Sequence, residues 1–286
     1  MSIPEPAVLP ATVARSSALY FRGMISTDMA AKVEHSTPDT LARQLQELCE
    51  LGQSQLVRTE YLRAEQTLIQ AESIALKLGD FDTLARLYMP LQEARRQRRQ
   101  HCGQGVVCLD LIAAGPDDRV DGRRVVENYP HGQLLVAGWA SIQPALEVRR
   151  LQVEHELYVE TFLAASYPVG NERVVAIVPL PDLPLPPAEP RRTIDDLVKR
   201  LPPHCIVLRE SELPQGVRRG DAHSFSQVMS LWERLHAPFL AAAEATDEPL
   251  KRIQAYRRTI QVDYACELAH QKLSDTARQL ARATRA

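Results

Sequence analysis

Aromatic residues are scarce, 5% of 286, and lysine is rarer still: Lys32, Lys77, Lys199, Lys251 and Lys272 are the only five, so arginine supplies nearly all of the 34 basic side chains. Set against 36 acidic residues they leave a net charge of −2, and no aromatics interleave with the arginine clusters. That balance speaks against a dedicated nucleic-acid or anionic-membrane binder. Long hydrophobic runs are missing too. Leu134–Ala140 and Val174–Val178 are the longest apolar stretches, far short of the ~20 residues that span a bilayer. Ser2–Pro10 is acidic and proline-rich and carries no charged-then-apolar signal segment, and the five cysteines (49, 102, 108, 205, 266) are odd in number and scattered. Both features suit a cytoplasmic protein with reduced thiols.

Several catalytic and cofactor patterns are also missing. Gly115-Pro116-Asp117-Asp118 follows a strand but lacks the glycine spacing of a phosphate loop, and its two carboxylates repel phosphate. Gly-x-Ser-x-Gly does not occur. His101, Cys102 and Cys108 have no second pair nearby to complete a zinc set. No cofactor and no metal are called for by these patterns.

Periodicity is what the sequence does contain. Residues 1–36, broken by Pro4, Pro6 and Pro10, read as a partly ordered arm. From Thr37 the pattern is helical: Leu41, Leu45 and Leu48 on a first helix, then Val57, Tyr61, Ala64, Leu68, Ala71, Ala75 and Leu78 on a second, then Leu84, Leu87, Tyr88, Leu91 and Ala94 on a third. Gly79 is placed to stop the second helix and Asp80 to cap the third. Residues 37–102 therefore read as antiparallel helical hairpins, and 103–210 as an α/β region. In the latter, strands are expected at 106–113, 133–140, 173–178 and 205–208, a shorter one at 123–128, and a long helix from Gln143 to Ala165. Prolines between 179 and 190 make a stiff connection. Residues 211–286 read as a loop and two long helices, the last running near 282 with an interruption near Ser274–Asp275. The fold expected is α/β: a central, mostly parallel sheet flanked by N-terminal antiparallel helical hairpins and C-terminal long helices.

Leu48, Leu51 and Gly52, followed by Tyr61, Ala64, Leu68 and Ala71, resemble one tetratricopeptide-type helical hairpin over residues 45–78. The resemblance implies a helical surface for a protein partner and no catalysis. An ordinary helical bundle with alanine-rich seams explains the same residues.

Candidate site residues follow from the expected topology. Ligands of parallel sheets sit beyond the carboxyl ends of the strands, where Asp117, Asp118, Ser141, Asp182 and Glu210 are expected. His155 falls with Val148, Leu151, Tyr158 and Phe162 on an apolar helical stripe, as a buried core histidine or a base. Ser141 suits a cap for the helix near Gln143. Arg95, Arg96, Arg98 and Arg99, at a helix end, read as a solvated face open to an acidic partner. The leading expectation is a non-enzymatic protein-interaction or adaptor module using helical surfaces. An α/β enzyme with a carboxylate-bearing site at the strand ends is the alternative.

Overall fold

A computed structural model describes residues 37–285, and the expected N-terminal arm, 1–36, lies outside them. Residues from Pro38 onward form one compact unit. The chain begins with three helices, α1 (Pro38–Val57), α2 (Tyr61–Leu78) and α3 (Phe81–Gln104). Gly79 ends α2 with φ 66°, a left-handed conformation that costs glycine nothing, and Asp80 caps α3 by accepting a hydrogen bond from the Thr83 amide at 3.0 Å. The alanine stripe is a seam: Ala64, Ala71 and Ala75 are fully buried. Leu45, Leu68, Leu84 and Leu91 share a core with Ile253, Tyr256, Leu273 and Ala277 of the C-terminal helices α8 (Pro249–Val262) and α9 (Glu267–Arg285). The first and last thirds of the chain thus bury a common apolar surface.

The remaining elements form an α/β layer: β1 (Val106–Ile112), α4 (Gly122–Asn128), β2 (Gly132–Trp139), α5 (Gln143–Glu154), β3 (Val159–Val169), β4 (Glu172–Ile177), α6 (Ile194–Val198), β5 (Ile206–Arg209), a 3-10 turn at Glu210–Glu212, β6 (Arg218–Arg219) and α7 (Ala222–Glu244). The six strands lie in the order β5-β4-β3-β2-β1-β6. Side chains alternate cleanly between faces. Leu134, Val136, Leu163, Ala165 and Tyr167 meet α4, α5 and α6 on one side. Leu135, Ala137, Phe162 and Ala164 meet α7 on the other, where Phe162 stacks on Trp232 with ring centroids 4.2 Å apart.

The class is α/β, as expected, but the sheet is mixed rather than mostly parallel. β1–β2 and β2–β3 pair in parallel; β3–β4, β4–β5 and β1–β6 are antiparallel. The cause is a strand that reads as helix. The helix expected to reach Ala165 ends at Glu154, and residues 159–169 form β3, which turns through Gly170 (φ 58°) into antiparallel β4. Nearly every β3 residue is buried, so its period of two is masked by apolar residues on both faces. The short strand expected at 123–128 is the helix α4, capped by Asp121. The interruption expected near Ser274 comes earlier, at Asp263–Cys266, where the Cys266 amide donates to the Asp263 carbonyl at 3.1 Å.

Candidate functional site

The arginine run of α3 organises a buried polar cluster. Arg95, Arg98 and Arg99 stand at helical spacings of three and four and share one face, and that face points inward. The solvated arginine face expected from the sequence is therefore corrected for these three. Arg96 alone is exposed, paired with Glu93 at 2.9 Å on its own helix.

Each buried guanidinium has assigned partners. Arg95 Nε donates to Glu65 Oε1 of α2 at 3.0 Å, and Arg98 Nη1 donates to Glu65 Oε2 at 2.9 Å. Arg98 Nη2 also reaches Gln152 Oε1 of α5 at 2.9 Å. Arg99 holds Glu160 of β3 through Nε at 2.9 Å and Nη2 at 2.6 Å, and Asp263 at 2.7 Å. Gln133 of β2 completes the Glu160 carboxylate at 2.8 Å. The planes of Arg98 and Arg99 lie over the Tyr264 ring at 4.2 and 4.8 Å. One helix face thus ties α2, α5, the sheet and the α8–α9 turn together. Burial disfavours the Arg99 charge, but Asp263 and Glu160 outweigh that and hold its pKa well above the ordinary value.

Two histidines border this network in opposite states. His270 of α9 lies with Nε2 3.0 Å from Arg95 Nη1 and Nδ1 2.8 Å from the Cys266 carbonyl. A guanidinium only donates and a carbonyl only accepts, so the proton is on Nδ1 and the ring is neutral. Burial, aided by the Arg95 charge, pushes its pKa down to about 3. His236 of α7 places Nδ1 2.7 Å from Asp263 Oδ2. Burial works against its charge, yet the bonds to Asp263 and Cys266 prevail and raise its pKa to about 10. Asp263 is held well below the carboxylate range: burial opposes ionisation, and Arg99 and His236 overcome it. Among the described residues, His236, Asp263 and Cys266 are the one group of three or more His, Cys, Asp or Glu side chains whose ligand-type atoms converge, all within 4.8 Å of one another. They border a cavity of about 570 Å³ that Arg99, Phe225, Glu233 and Glu267 also line.

A second concavity lies between α1 and α3, about 480 Å³ in volume. Leu45, Leu68 and Leu87 are buried in its floor, while Ala42, Gln46 and Arg86 are exposed at its rim.

The other sequence candidates are dispersed. His155 is not on a buried stripe: it is exposed and ends α5, because the helix stops there. Ser141 Oγ accepts from the Gln143 amide at 3.2 Å, but the N-cap of α5 is Ile142 and no side chain caps it, so the cap expected of Ser141 is not formed. Asp118 closes its own loop, accepting from the Ala114 amide at 2.7 Å, and Asp117 is exposed beside it. Glu210 grips Arg173 through two bonds of 2.5 and 2.6 Å, and Asp182 pairs with Arg258 of α8 at 3.1 Å. Asp117, Asp118, Asp182 and Glu210 do not converge into a ligand group among the described residues, nor do His101, Cys102 and Cys108. Antiparallel β4 turns the chain back, so the segment after it, which carries Asp182, leaves from the end of the sheet opposite the carboxyl end of β3. Sequence reasoning missed Glu65, Glu160, His236 and Asp263. The available signal was two charges, Glu65 and Glu160, set within otherwise apolar helix and strand patterns.

No family model, no curated protein and no solved structure matches the chain. No helix among the described residues is long and apolar enough to cross a membrane.

Proposed function

We propose that this is a cytoplasmic, non-enzymatic protein-interaction or adaptor module that takes a segment of a partner protein along the cleft between α1 and α3. The apolar floor of that cleft carries the reading: Leu45, Leu68 and Leu87 lie beneath an open rim of small and polar side chains, Ala42, Gln46, Gln53 and Arg86. Such a floor takes apolar side chains, and the glutamines can hydrogen-bond an extended backbone. The tetratricopeptide resemblance of residues 45–78 covers α1, one wall of this cleft, and α2, which supplies Leu68 to its floor. The enzyme alternative draws less support, since Glu210 and Asp182 are committed to arginines and Asp118 to its own loop. The test is affinity capture from the native host with wild type, with the cleft variant Ala42→Arg, and with a variant on the exposed part of α7, Glu233→Gln. The expected result is a defined partner held by wild type and Glu233→Gln and lost from Ala42→Arg. Equal capture by all three, or none by wild type, overturns the reading.

A further inference from the structure

The sequence sets metal aside because His101, Cys102 and Cys108 lack a complementary pair. The fold assembles a different set from α7 and the α8–α9 turn. We propose that His236, Asp263 and Cys266 bind a zinc-class divalent ion at the edge of the cavity between α3, α7 and the α8–α9 turn. His236 comes from α7, Asp263 caps the end of α8, and Cys266 immediately precedes α9. Their ligand-type atoms already lie within 4.8 Å of one another. Tetrahedral zinc, with bonds of about 2.0–2.3 Å, places its ligand atoms roughly 3.3–3.7 Å apart. For the ion to replace the proton they share, the His236 nitrogen and Asp263 oxygen, now 2.7 Å apart, must part by ~0.6 Å, and a Cys266 sulfur standing toward the 4.8 Å limit must close in.

The chemistry balances. The ion enters as M²⁺, the imidazolium gives up the proton it shares with Asp263, and the thiol of Cys266 gives up its own. The products are a neutral imidazole, a thiolate and a carboxylate around the metal, and two protons released to water. One nitrogen, one oxygen and one sulfur suit zinc, whereas magnesium and calcium take oxygen sets.

Arg99 does not oppose the ion as a bare charge. Glu160 neutralises it at 2.6 Å, and its contact with Asp263 is to Oδ1, which also accepts from the Ala265 amide at 3.2 Å. These outer bonds fix the carboxylate and leave Oδ2 directed at His236, the arrangement that orients a metal-ligating carboxylate. Three protein ligands leave a fourth position on the cavity side, open to water or to a small ligand.

The experiment uses the full chain stripped with chelator, then titrated with Zn²⁺ in equilibrium dialysis and with Co²⁺ in the spectrophotometer. The expected result is one equivalent of metal bound, with visible bands of tetrahedral intensity and a near-ultraviolet thiolate-to-cobalt band. Cys266→Ser should abolish the near-ultraviolet band. His236→Gln should weaken Zn²⁺ binding more than about 10-fold, beyond the lower end of what outer-shell changes produce. Lys251→Ala, on the exposed side of α8 and away from the cavity, should leave binding unchanged. Circular dichroism establishes that each variant is folded; if Cys266→Ser is not, the zinc affinity of His236→Gln decides. Absence of the thiolate band in wild type, its survival in Cys266→Ser, or unchanged zinc affinity in His236→Gln overturns the proposal and leaves the cluster a purely structural ion-pair chain.

Discussion

Glu65 of α2 and Arg98 of α3 meet 2.9 Å apart across 33 positions of sequence, and both are nearly withdrawn from water. The same carboxylate takes Arg95 on its other oxygen, so a single negative charge serves two buried guanidinium groups. Burial alone would push the Glu65 carboxyl up; Arg98 and Arg95 together outweigh it and hold the carboxyl below its ordinary value. The seam between α2 and α3 therefore combines an apolar alanine face with an ionic lock.

The lock predicts both a stability loss and a pH signature. Glu65→Gln leaves Arg95 and Arg98 short of their counter-charge and should cost about 3–5 kcal/mol in urea unfolding at pH 7. Because the folded pKa of Glu65 is lowered from 4.5, its stabilisation is present above that value and lost as pH falls through the folded one. Midpoints measured downward from pH 7 should thus fall more steeply for wild type than for Glu65→Gln. Parallel curves would mean that Glu65 adds no pH-dependent stability.

Neighbouring arginines of α3 should behave in opposite ways. Arg99→Met leaves the buried Glu160 carboxylate with only the neutral Gln133 as partner and Asp263 without one of its two cations, and should lose about 3–5 kcal/mol. Arg96→Ala removes only an exposed pair with Glu93 and should stay within about 0.5 kcal/mol of wild type. Chemical denaturation of the two variants side by side separates a buried hub from a solvated charge run; similar small losses would restore the solvated reading.

Local signals were enough for much of the architecture. Gly79 and Asp80 mark the α2–α3 junction because the left-handed stop and the aspartate cap are properties of a few adjacent residues. β1, β2, β4 and β5 were legible as apolar runs. β3 was not, because Leu151, His155, Tyr158 and Phe162 keep helical spacing while the chain leaves the helix at Glu154. The site was hidden for a related reason. A run rich in arginine has the same local pattern whether it faces water or Glu65, Glu160 and Asp263, and those partners come from three distant elements. The same holds for His236 and Cys266, which become neighbours only when α7 crosses the α8–α9 turn.

Thiol reactivity should follow the same burial map. All five cysteines are free, so protein unfolded without reductant should alkylate at every one. In the native protein Cys49, partly exposed at the α1–α3 cleft, should react first. Cys205 should follow more slowly, since burial pushes its thiol up to about 12, and Cys102, fully buried, should be protected. Peptide mapping after timed iodoacetamide exposure reads the order. Fast labelling of Cys102 would show that the α3 face opens to solvent.

The alanine seam gives the last test, because propensity and packing disagree in sign there. Gly52 is a helical residue of α1, and alanine is the better helix former by about 1 kcal/mol. A methyl group at Gly52, however, would stand 2.7 Å from Cγ and Cδ2 of Leu68, a buried side chain that must shift to admit it. Overpacking of this kind costs about 1–3 kcal/mol, so Gly52→Ala should be net destabilising despite its propensity. Ala71→Leu, on the same seam and fully buried, should likewise lose about 1–3 kcal/mol, whereas on a solvated helix leucine would be nearly neutral. Urea midpoints of both variants decide the matter. A stabilised Gly52→Ala together with an unchanged Ala71→Leu would mean that α1 and α2 do not pack as a closed seam, and the cleft whose floor they share with α3 would lose its shape.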